Sequence, residues 1–383
     1  CENPWGSFIG WIEVISHGIE LVLFKSEYPS TLILEVGADH PGDIKRVARW
    51  LKPDIAVVTK IGAVPVHIEF FPSRAALVEE KLSLARAIKP DGVLVLPADD
   101  AEILAVRKDS NIKAYTYAVL SPADISAASV ETIYDGVHGD GTSSIAGAPI
   151  GISFRLNHAG NSIPVKVMGV LGVQHVYPLI AACAVGLARG LKIASIIESL
   201  STHEAPRGRM NILAGINDST IIDDTYNASP DAVAEALATL DAVRISQPVS
   251  GGVRGRKIVV LGDMMELGKF AQEEHRKAGA LVAKVFAGEK AVEAGSTVGE
   301  LASRNLFVTV GQRAKMMRTG AIEAGMPDSA ILSYDTSLEA GPEIAKLVQA
   351  GDIILIKGSQ SPRLERVTAA LLRDPSTAPD VLV

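Results

Sequence analysis

Residues 31–81 read TLILEVGADHPGDIKRVARWLKPDIAVVTKIGAVPVHIEFFPSRAALVEEK. Thr31 to Val36 is an apolar run broken only by Glu35, and such a run bounded by turn residues predicts a buried strand. Gly37 and the Asp39-His40-Pro41-Gly42 cluster end it. Asp43 to Leu51 then predicts a short helix, and Asp54 to Thr59 the next strand. A loop carrying His67 and Glu69 follows. Pro72-Ser73 opens a helix on which Leu77, Lys81, Leu84, Ala85 and Ile88 share one face, so Lys81 lies inside an apolar stripe.

Strand and helix in alternation imply a parallel sheet with right-handed crossovers. Ligands of such sheets bind beyond the carboxyl ends of the strands. Glu35 stands at one predicted end, His67 in the loop after the next, and Lys81 in the crossover that follows; the three are expected to converge on one rim. Each has a plainer reading alone. A strand-end Glu is usually solvated, a loop His exposed, and a Lys on an apolar face snorkels to water.

A chain of 383 residues is long for one core and predicts two domains. Its 48% hydrophobic and 21% charged residues describe a globular protein. A net charge of -7 argues against a nucleic-acid surface, which carries a basic bias. Cys1 and Cys183 make no disulfide framework and fit a reducing, cytoplasmic setting. No stretch reaches the ~20 apolar residues of a membrane span. The start at Cys1 rather than Met is read as that of a fragment or of a processed or incomplete reading frame.

Beyond residue 81, Gly92 to Leu96 predicts a third strand, closed by Pro97-Ala98-Asp99-Asp100. Residues 110–170 turn rich in Ser, Thr, Gly and Val, with alternating runs at Gly151 to Leu156 and Ile163 to Val167. They predict hairpins inserted at the sheet edge, with Gly139-Asp140-Gly141 as a turn. Gly172 to Leu191 and Ala194 to Leu200 return to helix. Thr202 to Met210, punctuated by Pro and Gly, reads as a boundary. The expected division is residues 1–203 and 204–383. In the second part, strands are expected at Thr220 to Asp223, Lys257 to Leu261, Leu306 to Val310 and Asp352 to Lys357. Helices are expected at Pro230 to Leu240, Ala271 to Val285, Gln312 to Ala324, Ser337 to Gln349 and Pro362 to Leu372. Gln247 to Arg256 reads as a Gly-rich loop and Asp374 to Val383 as a loose tail.

Several strings carry chemistry. Ile221 to Pro230, I-I-D-D-T-Y-N-A-S-P, is a strand ending in two acids, then a polar loop, then a helix start. Strand-end acids with an amide suit ribose and adenine, and Asp224 and Asn227 are the expected nucleotide contacts. Lys357 and Ser359, in I-K-G-S-Q-S-P-R-L, lie on a strand-to-helix turn whose free N–H groups could hold an anion. Gly262 to Gly268, G-D-M-M-E-L-G, follows a strand but is neither G-x-G-x-x-G nor a phosphate loop, and no G-x-x-x-x-G-K-[ST] occurs in the chain.

E-V-G-A-D-H-P-G-D-I, V-H-I-E-F-F and E-E-K-L-x-L-A resemble the central domain of the Mur ligases. G-V-Q-H-V-Y at Gly172 to Tyr177 resembles the family's G-x-H-N, with Val176 in place of Asn. L-P-A-D-D has Pro97 where the family often has Asn, and the D-D-T-Y-N-A-S-P string has Ser229 at a position often Asn. The resemblance implies an α/β fold: a mostly parallel central domain plus a Rossmann-like C-terminal α/β domain. It implies that Glu35 and His67 hold magnesium beside ATP, and that Lys81 carries a carbamate helping to place the second of two ions. Carboxylate oxygens suit magnesium, and a lysine held neutral by burial can react with carbon dioxide. His175 and Arg209 are expected to join Asp224 and Asn227 around the nucleotide. Lys357 and Ser359 are expected to face the carboxylate of the incoming amine component. Glu274, His275 and Arg276 match a family stretch with helix packing as their expected role.

The function so implied is an ATP-dependent acid–amine ligase of cell-wall synthesis, a cytoplasmic monomer. The D-D-T-Y-N-A-S-P and L-G-D-M-M-E-L-G strings favour D-alanyl-D-alanine as the amine and a UDP-N-acetylmuramoyl-tripeptide as the acid, joined through an acyl phosphate. A folylpolyglutamate or cyanophycin synthetase type is the enzyme alternative, and a degenerate binding protein the other. In the family, the phosphate loop and a UDP-binding domain lie upstream of the Glu35 stretch, so residues 1–383 alone are expected to be inactive.

Overall fold

Continuous runs of β-branched and aliphatic residues, such as Ile353–Lys357, are stable as strands only when both faces are covered. The fold does this twice. The structure, a computed structural model, describes residues 7–24, 28–109, 112–136, 147–245, 255–288 and 305–383. The expected turn Gly139–Gly141, most of the Gln247–Arg256 loop, and Cys1 lie outside these residues. The chain divides into two units, residues 1–37 and 38–383.

The first unit holds one helix, Phe8–Leu23, capped by Ser7, whose Oγ accepts the Gly10 N–H at 3.1 Å. None of its 16 residues is buried. The strand expected at Thr31 to Val36 does not form: residues 31–35, Glu35 included, are exposed coil. An apolar run becomes a strand only where a neighbour accepts and donates along its backbone, and neither sheet pairs with these residues. Glu35 is therefore not a strand-end residue.

In the second unit, the first sheet has six strands in order β1-β2-β3-β4-β5-β6. They are β1 Ile55–Val57, β2 Val93–Pro97, β3 Lys113–Ala118, β4 Ile125–Tyr134, β5 Pro149–His158 and β6 Asn161–Met168. β1 to β4 run parallel, and β4, β5 and β6 pair antiparallel. The hairpins expected from residue 110 are present, but β3 belongs to the parallel core rather than to an insertion. Helix Val176–Ala188 covers this sheet, burying Leu179, Ile180, Cys183 and Ala184.

The second sheet has order β11-β10-β9-β12-β8-β7. Its strands are β7 Asn211–Ala214, β8 Thr220–Asp224, β9 Lys257–Gly262, β10 Leu306–Val310, β11 Ile331–Tyr334 and β12 Ile353–Lys357. All neighbours are parallel except β7 on β8. Every residue of β9, β10 and β12 is buried, which matches sequences that are apolar but for Lys257, Thr309 and Lys357. Because β12 inserts between β9 and β8, the carboxyl ends of these three strands lie side by side. Asp224, Asp263 and Lys357 therefore share one edge. One apolar cluster runs from Val95 and Ile180 to Ile222, Val259 and Leu355 and so serves both sheets, while a second cluster with Ile221, Ile258, Val260 and Ile354 belongs to the second sheet.

Residues 374–383 are not a loose tail. Asp374 caps the turn Pro375–Thr377, Ala378–Val381 is a helical turn, and Leu382 is buried. Arg207 donates to the carbonyls of Pro379 (2.9 Å) and Leu382 (3.4 Å). The guanidinium fork satisfies carbonyls that a short helical turn leaves open. No helix of the described residues is long and apolar enough to cross a membrane.

Candidate active site

Asp224 ends β8, and Lys357 ends the adjacent β12, its register partner. Both are buried, and Lys357 Nζ lies 2.6 Å from Asp224 Oδ2. The same ammonium donates to the Asn227 carbonyl at 2.9 Å. An ammonium has three N–H donors, so one is left beyond these bonds. Two residues on, the buried Ser359 is bound on every side. Its N–H donates to the Asp263 carbonyl (3.0 Å), and its Oγ accepts the Met265 N–H (2.9 Å) and reaches the Ala228 carbonyl (3.4 Å). Asn227 uses Oδ1 to accept the Ala228 N–H at 2.8 Å. Ser229 caps helix Pro230–Ala242, which accounts for the Ser-Pro pair of that string.

His175 is half-buried on the short helical turn before Val176–Ala188. Burial pushes its imidazole below the usual histidine range, opposed by the charge of Asp224 and a hydrogen bond with the Arg209 backbone. Three of the residues expected at the nucleotide thus lie in one electrostatic neighbourhood: the charge of Asp224 and the backbone of Arg209 both act on His175. The exposed Arg209 guanidinium stacks 4.1 Å over the ring of Tyr226.

At the first sheet, His67 sits in the loop after β1 with a left-handed φ of 67°. Its Nδ1 lies 2.6 Å from Glu266 Oε2 of the second sheet's loop after β9, without the alignment of a hydrogen bond, and its Nε2 lies 3.5 Å from Asp39 Oδ1. Lys81, in helix Arg74–Arg86, is half-buried and has neither hydrogen bond nor ion pair among the described residues. Burial alone pushes its amine below the usual lysine range. The ion-pair contacts of His67 are to Asp39 and Glu266, and Glu35 belongs to the other unit.

The two sheets' loops enclose a cleft of about 340 Å³ lined by Val64, Ile68, Phe71, Leu267 and Phe270, with Lys269 at its rim. Asp231 Oδ2 accepts the Ala63 N–H (2.8 Å) and Glu235 pairs with Lys60 (2.9 Å), tying the loop after β1 to helix Pro230–Ala242. Among the described residues, no three His, Cys, Asp or Glu side chains are grouped to hold a metal ion. Magnesium beside a nucleotide is held by one or two carboxylates, with water and phosphate oxygens completing its shell, and the carboxylates beside His67 are those of Asp39 and Glu266.

Sequence reading passed over Asp223. It is fully buried at the end of β8; Thr368 Oγ1 donates to its Oδ1 at 2.8 Å, while Oδ2 and the neighbouring buried Thr225 Oγ1 have no aligned partner. Burial pushes its carboxyl up to about 6. The first acid of D-D was the available signal. Glu266 was also passed over, though its string was noted. Asp99 and Asp100 of L-P-A-D-D have structural partners: Asp99 accepts from Val119 N–H and Tyr177 O–H (both 2.8 Å), and Asp100 caps helix Ala101–Leu104.

Comparison with known proteins matches two family domains in succession along the chain. Residues 16–186 match the Mur ligase middle domain, and residues 208–360 match the Mur ligase glutamate ligase domain. The UDP-N-acetylmuramoyl-tripeptide–D-alanyl-D-alanine ligase of Mycobacterium tuberculosis is 29% identical over 371 residues, 92% of this chain and 64% of the relative. The Bacillus subtilis protein of the same name is 25% identical over 92% of this chain and 67% of its own length. The chain thus spans about two thirds of these relatives. MurF ligase from Thermotoga maritima in complex with ADP shares the fold at a TM-score of 0.68, with 23% identity, covering 90% of this chain and 68% of that one. MurF from Acinetobacter baumannii does so at 0.65, with 24% identity, covering 87% and 62%. Two consecutive domain matches over two sheets of this topology make the chain a member of the Mur ligase family.

Proposed function

We propose that the chain serves an ATP-dependent acid–amine ligase of peptidoglycan precursor synthesis, which joins D-alanyl-D-alanine to UDP-N-acetylmuramoyl-tripeptide. The observation that carries the reading is the cluster at the adjacent ends of β8 and β12, where buried Lys357 binds Asp224 and the Asn227 carbonyl and Arg209 stacks on nearby Tyr226. Polar groups at adjacent parallel-strand ends suit a nucleotide. The names of the relatives supply the substrates.

In this reading, the terminal carboxylate of the peptide attacks the γ-phosphorus of ATP, giving an acyl phosphate and ADP. The amine of the dipeptide then attacks the acyl carbon, a tetrahedral intermediate forms, and phosphate leaves as the amide forms. Arg209 is within a stacked, exposed position from which a guanidinium can turn toward phosphoryl oxygens. Lys357 and Asp224 hold the Asn227 loop in place, and the remaining Lys357 N–H is available to an anion. Lys81 is the candidate for carbamylation, in which its neutral amine adds carbon dioxide and loses a proton. Its unpartnered, desolvated amine suits that chemistry. The two magnesium ions of the sequence reading enter no step here. The protein is read as a cytoplasmic monomer.

The test is an assay of the protein as its gene encodes it, with ATP, the UDP-linked tripeptide and D-alanyl-D-alanine. Phosphate release that requires both substrates and yields the pentapeptide product is expected. Release that is indifferent to the dipeptide, or that responds to glutamate instead, would overturn the assignment.

A further inference from the structure

The strings G-D-M-M-E-L-G and E-E-H-R have no role in the reaction just described, yet the fold ties them together. The N–H of the fully buried Met264 donates to Nε2 of the fully buried His275 at 3.0 Å. Nδ1 of that ring lies 2.6 Å from the Ala271 carbonyl. A carbonyl only accepts, so Nδ1 carries the hydrogen and Nε2 is left as the acceptor. Burial, which pushes this imidazole below the usual range, agrees with a neutral ring. On either side of Met264, the loop is bound to the rest of the second sheet. Asp263 Oδ1 accepts the Ala314 N–H at 2.7 Å, the Asp263 carbonyl accepts the Ser359 N–H, and Met265 N–H donates to Ser359 Oγ.

The next residue, Glu266, is left-handed (φ 61°) and brings its carboxylate to His67, itself left-handed (φ 67°). Gly268 follows with φ 53°, and a Cβ there would stand 2.8 Å from the Cβ of Glu69. Non-glycine residues keep this conformation only where their surroundings hold them there. The loop after β9 and the loop after β1 thus meet at two points, and the loop after β9 is held from behind by one imidazole.

We propose that His275 is a positioning residue that holds the 263–268 loop so that Glu266 meets His67 and Met265 meets Ser359, coupling the strand ends of the second sheet to the His67 loop of the first. The coupling is a property of the fold and goes beyond the ligase reading, since it holds whichever reaction the site performs.

Hydrogen–deuterium exchange on the full chain tests it. His275→Leu leaves the Met264 N–H buried without an acceptor, whereas His275→Gln returns one near the place of Nε2. In His275→Leu, exchange is expected to rise about fivefold at residues 263–268 and also at 62–71. It is expected to fall back toward wild type in His275→Gln, with β5 and β6 unchanged in both. Glu266→Ala, which alters a partly exposed side chain, is expected to raise exchange at 62–71 while 263–265 stay protected. A His275→Leu variant that loosens 263–268 and leaves 62–71 as in wild type overturns the proposal, and so does a Glu266→Ala variant with no effect at 62–71. Should His275→Leu loosen the whole second sheet, β9 and β12 included, His275 acts on the sheet rather than on the loop and the proposal is overturned.

Discussion

Lys357 and Asp224, 133 residues apart in the chain, face each other at 2.6 Å across the ends of two adjacent parallel strands, both buried. A buried ion pair is a weak net stabiliser, because desolvation of both charges offsets their attraction. Removing one partner is another matter, since the other charge then stays buried alone. Lys357→Met or Asp224→Leu is expected to destabilise the chain by about 3–5 kcal/mol. The double substitution should recover most of that. Urea titrations of the three variants check it, and additive losses would contradict the coupling.

Asp223 should give the fold a pH dependence. Its carboxyl is raised from the ordinary value of 3.8 to about 6 by burial. A raised carboxyl contributes stability that is fully present below the ordinary value and is lost as pH rises through about 6. Asp223→Asn keeps an acceptor for Thr368 and cannot ionise. It is expected to match the wild type near about pH 4 and to exceed it by about 2 kcal/mol at neutral pH. Chemical denaturation at the two pH values measures this; equal stability of the two proteins at neutral pH would count against it.

Lys81 is expected to trade stability for function. Its half-buried amine lacks a partner and is penalised by desolvation. The cost is carried at neutral pH, where the amine in the unfolded chain is charged. Lys81→Met should therefore raise stability by up to about 1 kcal/mol while lowering ligation by orders of magnitude in the gene-encoded protein. Carbon-13 NMR with labelled bicarbonate should show a carbamate in the wild type that Lys81→Met lacks.

The Arg209–Tyr226 stack sets a prediction for nucleotide binding. Tyr226→Leu removes the ring under the guanidinium, and Arg209→Lys cannot restore planar stacking or bidentate contact. Each is expected to weaken ADP binding about tenfold, read by calorimetry, with thermal stability changed little. Unchanged affinity in both variants would remove Arg209 from the site.

Much of the second sheet was legible because burial on both faces writes itself into sequence. β9, β10 and β12 are mostly apolar runs, and their expected bounds agree with the structure to within a residue. β7 and β11 were missed: each is four residues long, and N-I-L-A and I-L-S-Y are too short and mixed to show a period. The opposite error occurred at Thr31 to Val36, where an apolar run with no ladder partner stayed coil. At the site, the D-D-T-Y-N string pointed to Asp224 and Asn227. It did not show that Asp224 pairs with Lys357 or that Asp223 is buried against Thr368, because both acids lie in one strand end and differ only in which face they meet.

The residue string by itself determined the alternation of strand and helix, the position of most elements, and the motifs that mark the Mur ligase family. These are local properties, carried by periodicity and by runs of a few residues. Only the tertiary structure decided that Lys357 meets Asp224, that Glu266 reaches His67, that His275 holds the loop between them, and that residues 374–383 dock on Arg207. Such pairings depend on strand order and on how two sheets share one apolar cluster. Periodicity records which face of an element is covered, but not which distant side chain covers it.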